Sequence, residues 1–153
     1  MFEDIQLFVL LSGSAFGQFT IKESTKDWKK LGNIYHYIQL LAKEDKAKIV
    51  YFYTETNPPS NFEFEFATEP DTLDKLYNII SEKLAEKAIE KLTLEFPEGN
   101  MYLIFDKTIF GKHYFQFSFD NTTPLIDSKN TTKNERDTWP LGQKEVDKLF
   151  GKK

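Results

Sequence analysis

The stretch Ser60-Asn-Phe-Glu-Phe-Glu-Phe-Ala-Thr-Glu-Pro-Asp71 decides the fold, because a strand pattern gives way within it to the signal for a helix. Alternation with a period of two is typical of a strand that buries one face. The buried face is predicted to carry three phenylalanines: Phe62, Phe64 and Phe66. Glu63 and Glu65 occupy the alternate positions and should point away from the core. The strand therefore has an apolar face and an acidic face.

A helix is predicted at about 69–91. Thr68 and Asp71 match a capping box, and Pro70 is tolerated in the first helical turn. Apolar residues then recur at three- and four-residue steps, as expected for one helical face. They are Leu73, Leu76, Tyr77, Ile80, Leu84 and Ala88. We expect this face to pack on a sheet.

Strands are predicted on both sides of the helix. Residues 34–41 and 48–55 are rich in β-branched and aromatic residues and are expected to pair through a turn at 42–46. A short helix or turn is expected near Trp28, and the first twenty residues fit either a helix or strands. After the helix, 92–96 and 101–105 form a predicted hairpin, and 112–119 a further strand.

The C-terminal part is predicted to contain a polar loop at about 121–140 and a short helix at about 142–149. We therefore expect one domain over residues 1–153 with an α+β fold. Its antiparallel sheet should have about five or six strands, with one main helix packed on one face and the short C-terminal helix beside it. A chain of 153 residues is long enough to bury a core without disulfides.

Composition excludes several classes of protein. The absence of cysteine rules out a disulfide scaffold, a cysteine-ligated zinc site and a thiol nucleophile, and it fits a cytoplasmic location. The apolar run Leu7–Leu11 is too short for a signal peptide or a membrane span. With 20 basic and 24 acidic residues, the net charge of −4 argues against binding to nucleic acid. We expect neither a nucleic acid nor a membrane as partner.

The acidic residues are unevenly distributed. From Glu55 to Asp74 there are six acids and no Lys or Arg, which predicts a basic partner protein. The candidate partner-binding acids are Glu55, Glu63, Glu65, Glu69 and Asp71. Tyrosines beside acids on a sheet face resemble the composition of protein interfaces, so Tyr51 and Tyr53 are further candidates, although structural use of these rings is an equally good interpretation.

No catalytic, cofactor or metal motif is found in the sequence. Phe110-Gly-Lys-His113 ends like a phosphate-binding loop but has Asp106 where that loop needs glycine. Gly13-Ser-Ala-Phe-Gly17 has the glycine spacing of a nucleophile elbow but carries Ala15 instead of serine. We therefore expect no enzyme activity and no cofactor. The alternatives are a small ligand-binding or enzymatic domain using His36 or His113 with a carboxylate, and a structural interaction subunit.

The order of these elements resembles the YezG-like family of bacterial immunity proteins. The similar segments are Trp28-Lys-Lys-Leu31, Ile49-Val-Tyr-Phe-Tyr-Thr54, the helix at Leu73–Glu86, and the hairpin Leu94-Glu-Phe-Pro-Glu-Gly-Asn-Met-Tyr-Leu-Ile-Phe-Asp106. The resemblance implies an antitoxin that neutralises a bacterial polymorphic toxin, often a nuclease, by stoichiometric binding. Acids offered where a nuclease expects phosphate would then speed association with a toxin domain.

Overall fold

The structure, a computed structural model, describes residues 18, 27–35, 37–53, 60–120, 123–124 and 137–152, with only the backbone at 53, 60, 123 and 124. The expectations for the first twenty residues lie almost entirely outside this part of the chain. The elements in chain order are β1 (Lys29–Ile34), β2 (Ile38–Lys43), β3 (Lys46–Tyr53), β4 (Ser60–Ala67), α1 (Thr72–Ala85), β5 (Glu90–Phe96), β6 (Gly99–Lys107), β7 (His113–Phe119), β8 (Thr123–Pro124) and α2 (Gln143–Leu149). An α+β fold with antiparallel strands is confirmed.

The strands form two sheets, so the prediction of one sheet with five or six strands is wrong. The first sheet has the order β1-β2-β3-β4-β8, and the second has the order β5-β6-β7. The β5–β7 meander has its own apolar face, which it buries by packing on the face of the first sheet instead of joining its edge. The rings of Phe64 and Phe119 stack across this contact with centroids 4.9 Å apart.

The period-two pattern of the opening stretch is confirmed. Phe62, Phe64 and Phe66 are buried within one continuous core. The same core contains three phenylalanines of β7, which are also spaced by two: Phe115, Phe117 and Phe119. Both sheets therefore bury an aromatic face, and the two faces meet each other.

Helix α1 is shorter than predicted at both ends. Thr68 does not cap it, because the N-cap position is occupied by Asp71. The Thr68 N–H donates to the Asp45 carbonyl oxygen (2.8 Å), which holds Thr68 against the turn between β2 and β3. The helix begins at Thr72 and ends at Ala85 because Lys87 adopts a φ of 57°. A Schellman motif closes the end, in which the Ala88 N–H donates to the Lys83 carbonyl (3.0 Å). The predicted apolar face is confirmed by the burial of Leu76 and Ile80, so the periodicity of this segment identified its core-facing side correctly.

The predicted strand at 34–41 is wrong, because a turn divides it. Tyr35 has a φ of 50°, and the Tyr37 N–H donates to the Ile34 carbonyl oxygen (2.9 Å), so β1 and β2 form a hairpin. The predicted pairing of the next two strands is confirmed, with Glu44 and Asp45 as the turn between β2 and β3. Trp28 precedes β1 and is buried.

The C-terminal helix is confirmed, and Gly32 explains how it docks. A Cβ atom on Gly32 would lie 2.0 Å from the Lys148 carbonyl oxygen and 2.4 Å from that of Leu149, so only glycine lets the end of α2 approach β1 this closely. Part of the predicted loop at 121–140 is ordered along β7. There Asp137 forms an antiparallel β-bridge with Ser118. Leu141, just beyond the predicted loop, forms a second bridge with Phe115.

Candidate functional site

The acids of the opening stretch face lysines of the neighbouring strand. The Glu63 carboxylate lies 3.7 Å from the Lys48 ammonium, and the Glu65 carboxylate lies 3.2 Å from that of Lys46. The two glutamates point away from the phenylalanine core, as the sequence predicts. Their charges are therefore balanced within the sheet.

Trp28 supports this cluster of charges on the outer face of the first sheet. The Lys48 ammonium lies 4.4 Å from the centre of the Trp28 ring, and that of Lys46 lies 5.5 Å from it. A cation above an indole face is attracted by the ring quadrupole. The lysines are thus held between the ring and the glutamates, which leaves little net field for attracting a basic protein.

A second group of acids is assembled by turns at one end of the molecule. We call this the acidic end, and its members are Glu44, Asp45, Glu69, Asp71 and Glu98. Thr68 binds the Asp45 carbonyl, and the Ala67 N–H donates to Glu98 Oε2 (3.2 Å), so the three turns lie together. All five acids are exposed. Within this group, Asp71 forms an ion pair with Lys75 at 3.2 Å.

The predicted acids are thus divided by the structure. Glu69 and Asp71 belong to the acidic end, whereas Glu63 and Glu65 lie in the lysine cluster of the sheet, and Glu55 lies outside the described residues. The turns at 44–45 and 97–98 lie where the sequence predicts turns. The contribution of their acids was missed, since these acids lie outside the acidic run in sequence and adjoin it only in the fold.

Tyr51 is not a surface residue. It is 1% exposed, and its ring packs against Phe62 at 5.8 Å and Phe119 at 5.4 Å. Its place on the buried face of β3 follows from the alternation that also buries Ile49. The sequence-based assignment of Tyr51 to a partner surface is therefore corrected, and the side chain of Tyr53 lies outside the described part.

The opposite end of the first sheet carries a groove lined by aromatic residues. Its volume is about 310 Å³. We call this region the aromatic end, and its ring-bearing members are Tyr35, Tyr37, Tyr114 and Trp139 together with Phe110 at the neighbouring hairpin tip. The rings of Tyr37 and Trp139 are 4.7 Å apart, and Tyr35 meets Tyr37 edge to face at 6.4 Å. Such packing fixes the rings before any partner arrives.

Most of the exposed large apolar side chains in the described residues lie at this end. Ile109 is 95% exposed, Phe110 92%, Tyr35 71% and Trp139 45%. The fifth residue of this kind, Ile89, lies elsewhere, between α1 and β5. Several exposed large apolar side chains at one end of a protein are uncommon and are typical of interaction sites.

Ile109 and Phe110 are presented by a well-formed turn between β6 and β7. Thr108 and Lys112 close it, since the Thr108 N–H donates to the Lys112 carbonyl oxygen at 2.9 Å. The Thr108 hydroxyl accepts from the Phe110 N–H (3.3 Å) and the Lys112 N–H (3.2 Å), and Gly111 supplies a φ of 84°. The exposed side chains therefore stand on an ordered backbone.

Sequence reasoning missed this turn. The stretch Phe110-Gly-Lys-His113 resembles a phosphate loop in sequence, and that interpretation leaves Ile109 and the Phe110 side chain without a role. The available signal was two large apolar residues in a hairpin turn flanked by Lys107 and Lys112.

His113 pairs across the ladder with Lys107, and His36 lies outside the described residues. The described part of the chain contains no group of three or more His, Cys, Asp or Glu side chains placed to hold a metal ion. No helix within the described ranges combines the length and apolar character needed to cross a membrane.

Comparison with protein-family models, with curated proteins and with solved structures finds no match to this chain.

Proposed function

We propose that this protein is a stoichiometric binding protein of the immunity type, which neutralises a bacterial toxin domain in the cytoplasm by direct contact. The sequence resemblance to YezG-like immunity proteins supports the class of partner. The observation that carries the proposal is the aromatic end, where the exposed rings of Tyr35 and Trp139 line a groove and the turn beside it exposes Ile109 and Phe110. Exposing such side chains has no benefit for folding, but it provides contact area for a partner.

The aromatic end is the proposed anchor of the complex. Tyr and Trp are enriched among the residues that dominate binding energies, because they bury a large area at a small cost in side-chain entropy. The rings of Tyr37 and Trp139 already pack against each other, so little side-chain freedom is lost on binding. The partner that fits has an apolar recess for Phe110 and Ile109, with acidic groups near Lys107 and Lys112 at the rim.

The acidic end is the surface at which the basic character of a toxin would act. Exposed charges mainly change the rate of association, and their effect weakens as salt is added. The proposed contribution of Asp45 and Glu69 is therefore kinetic. Glu63 and Glu65 contribute less, since Lys48 and Lys46 compensate their charge locally.

The test uses the toxin domain encoded beside this gene in the source genome. The toxin is expressed in a bacterial host with and without this protein, and growth, the stoichiometry of the purified complex and the toxin's enzymatic activity are measured. We expect restored growth, a stoichiometric complex and inhibition that is complete at molar equivalence. A neighbouring gene that encodes no toxin, or a toxin that is neither bound nor inhibited, would contradict the proposal.

A further inference from the structure

Within the residues that the structure describes, strand β5 is the open edge of the second sheet. Among the described residues it pairs with β6 alone, through a regular ladder from Glu90 opposite Phe105 to Phe96 opposite Gly99. Its other side presents backbone N–H and C=O groups that can form a further ladder. Natural proteins usually protect such an edge with a bulge, a proline, charged side chains or a covering element. β5 contains no proline, and its ladder with β6 has no break in register.

The sequence of β5 is complementary to itself when two copies run antiparallel. If Thr93 lies opposite Thr93 of a second copy, Lys91 lies opposite Glu95 and Glu95 opposite Lys91. Opposite charges and paired threonines are favourable neighbours across antiparallel strands. On the other face Leu92 would lie opposite Leu94, which adds apolar contacts. A shift of one residue in either direction destroys the charge pairing.

Both charged side chains point to the face on which they would meet. Lys91, Thr93 and Glu95 alternate with the partly buried residues of β5 and are exposed. The Lys91 ammonium lies 4.4 Å from the centre of the Tyr102 ring, which keeps it on this outer face of the sheet. In the proposed register, the charged side chains of the two copies would therefore lie opposite each other and on the same face of the sheet.

The inner side of the same edge is an open groove between β5 and α1. Its volume is about 470 Å³, and its apolar lining comes from Leu76, Ile79, Leu94 and Phe96. Thr93 is the middle residue of β5, and Ile79 lies close to the middle of α1. A two-fold axis through Thr93 would therefore bring the α1 helices of two copies toward each other across the groove.

We propose that this chain forms a symmetric homodimer by antiparallel pairing of β5 with β5 of a second copy, centred on Thr93. The two three-stranded sheets then become one continuous six-stranded sheet, and the apolar groove is covered from both sides. The charge complementarity of Lys91 with Glu95 selects a second copy over an unrelated strand. The inference is independent of the toxin-binding proposal, because it uses a different edge of the molecule.

A charge-swap cycle tests the register. Lys91→Glu and Glu95→Lys each place like charges opposite each other at two symmetric positions, and the double variant restores both attractive pairs. By sedimentation equilibrium over a concentration series, we expect each single substitution to weaken the dimer about tenfold and the double variant to recover the affinity. Lys144→Glu, an exposed substitution on α2, is the matched control and should leave the dimer unchanged.

A cross-linking measurement tests the same geometry without altering charge. Because the chain has no cysteine, Thr93→Cys introduces a single thiol at the proposed axis. A short thiol-reactive cross-linker should join two copies of Thr93→Cys and leave Lys144→Cys largely monomeric. Circular dichroism of each variant checks that the fold is retained.

The proposal is overturned if the wild-type protein is monomeric at all concentrations, or if its dimer is unaffected by the single charge reversals. It is equally overturned if the double variant fails to recover, or if Thr93→Cys cross-links no faster than Lys144→Cys. A monomer that pairs β5 only with an added peptide would assign the edge to a different partner and would also contradict a homodimer.

Discussion

The acidic end and the aromatic end show how differently acidic and apolar side chains are displayed. At the acidic end, turns hold Glu44, Asp45 and Glu69 in water, where carboxylates are stable without any partner. At the aromatic end, Ile109 and Phe110 stand on an ordered turn in contact with solvent, where exposure has a free-energy cost. Exposed acids therefore need no functional explanation, whereas the exposed rings do. This difference is why we assign the anchoring role to the aromatic end.

The outer face of the sheet lies between these extremes. Its glutamates, Glu63 and Glu65, come from the most conspicuous acidic pattern in the sequence, yet each lies beside a lysine that Trp28 also contacts. The sequence of one strand shows which charges lie along that strand only. Whether those charges attract a distant partner or are neutralised locally depends on the side chains of the neighbouring strand.

The largest effect is expected from Gly32→Ala, which disturbs the support of the aromatic end. The added methyl group would meet the carbonyl oxygens of Lys148 and Leu149, so α2 must move away from β1. We expect a loss of about 3 kcal/mol in the free energy of unfolding, measured by denaturant titration. Gly142→Ala is the control, since its Cβ would meet only the Glu145 side chain, at 3.0 Å. Equal stability of the two variants would show that the close approach of α2 is not required.

The next largest effect concerns the anchor itself. Phe110→Ala should weaken partner binding by about 2 kcal/mol, mainly through faster dissociation, while thermal stability stays the same because the ring is exposed. Surface plasmon resonance with the toxin domain measures both rates. Ile89→Ala removes an exposed apolar side chain away from the aromatic end and should leave binding unchanged. If both variants bind alike, the distinction between the aromatic end and the rest of the surface fails.

A smaller effect is expected at the acidic end. The double variant Asp45→Lys, Glu69→Lys should slow association with a basic toxin roughly tenfold at low salt and reduce the salt dependence of the rate. Dissociation should change little, because rim charges stay hydrated. Stopped-flow association at two salt concentrations distinguishes these effects. A change confined to dissociation would mean that the acidic end is buried in the complex.

The smallest effect is expected on the outer face. Glu65→Gln removes one partner of a half-exposed ion pair with Lys46 and should lower the free energy of unfolding by only ~0.5 kcal/mol, measured by thermal denaturation. Its effect on the association rate should be smaller than that of the acidic-end variant, because it removes a single negative charge that Lys46 already neutralises in the wild-type protein. If Glu65→Gln slowed association more than the acidic-end variant, the outer face of the sheet, and not the acidic end, would be the main source of electrostatic attraction.

Local patterns made the fold largely predictable from sequence. The alternation in 60–67 and the helical spacing from Leu73 to Leu84 identified the correct buried faces, since burial of one face produces these periods directly. The division into two sheets was not predictable in this way, because pairing an edge and packing a face require the same alternating pattern. The turn at Tyr35 was hidden by strand-like composition on both sides. The close approach of Gly32 to α2 was not predictable from local sequence, because the two segments lie more than a hundred residues apart in the chain.

The candidate site was less predictable than the fold. The acidic end gathers turns that are remote in sequence, and the aromatic groove joins Tyr37 to Trp139 across the molecule. Neither combination leaves a periodic signal. Tyr51 shows the converse error, because an aromatic residue on a strand has the same composition signal on either face, and here the register with Phe62 places it in the core.

The most direct test of the central claim is backbone hydrogen exchange of the protein alone and in complex with the toxin domain. We expect new protection at the turn 108–112 and at residues 139–142, where the aromatic end would be covered, with little change at 44–45 and 97–98. Protection confined to the acidic end or to the outer face of β4, with exchange at 108–112 unaltered, would contradict the assignment of the anchor to the aromatic end.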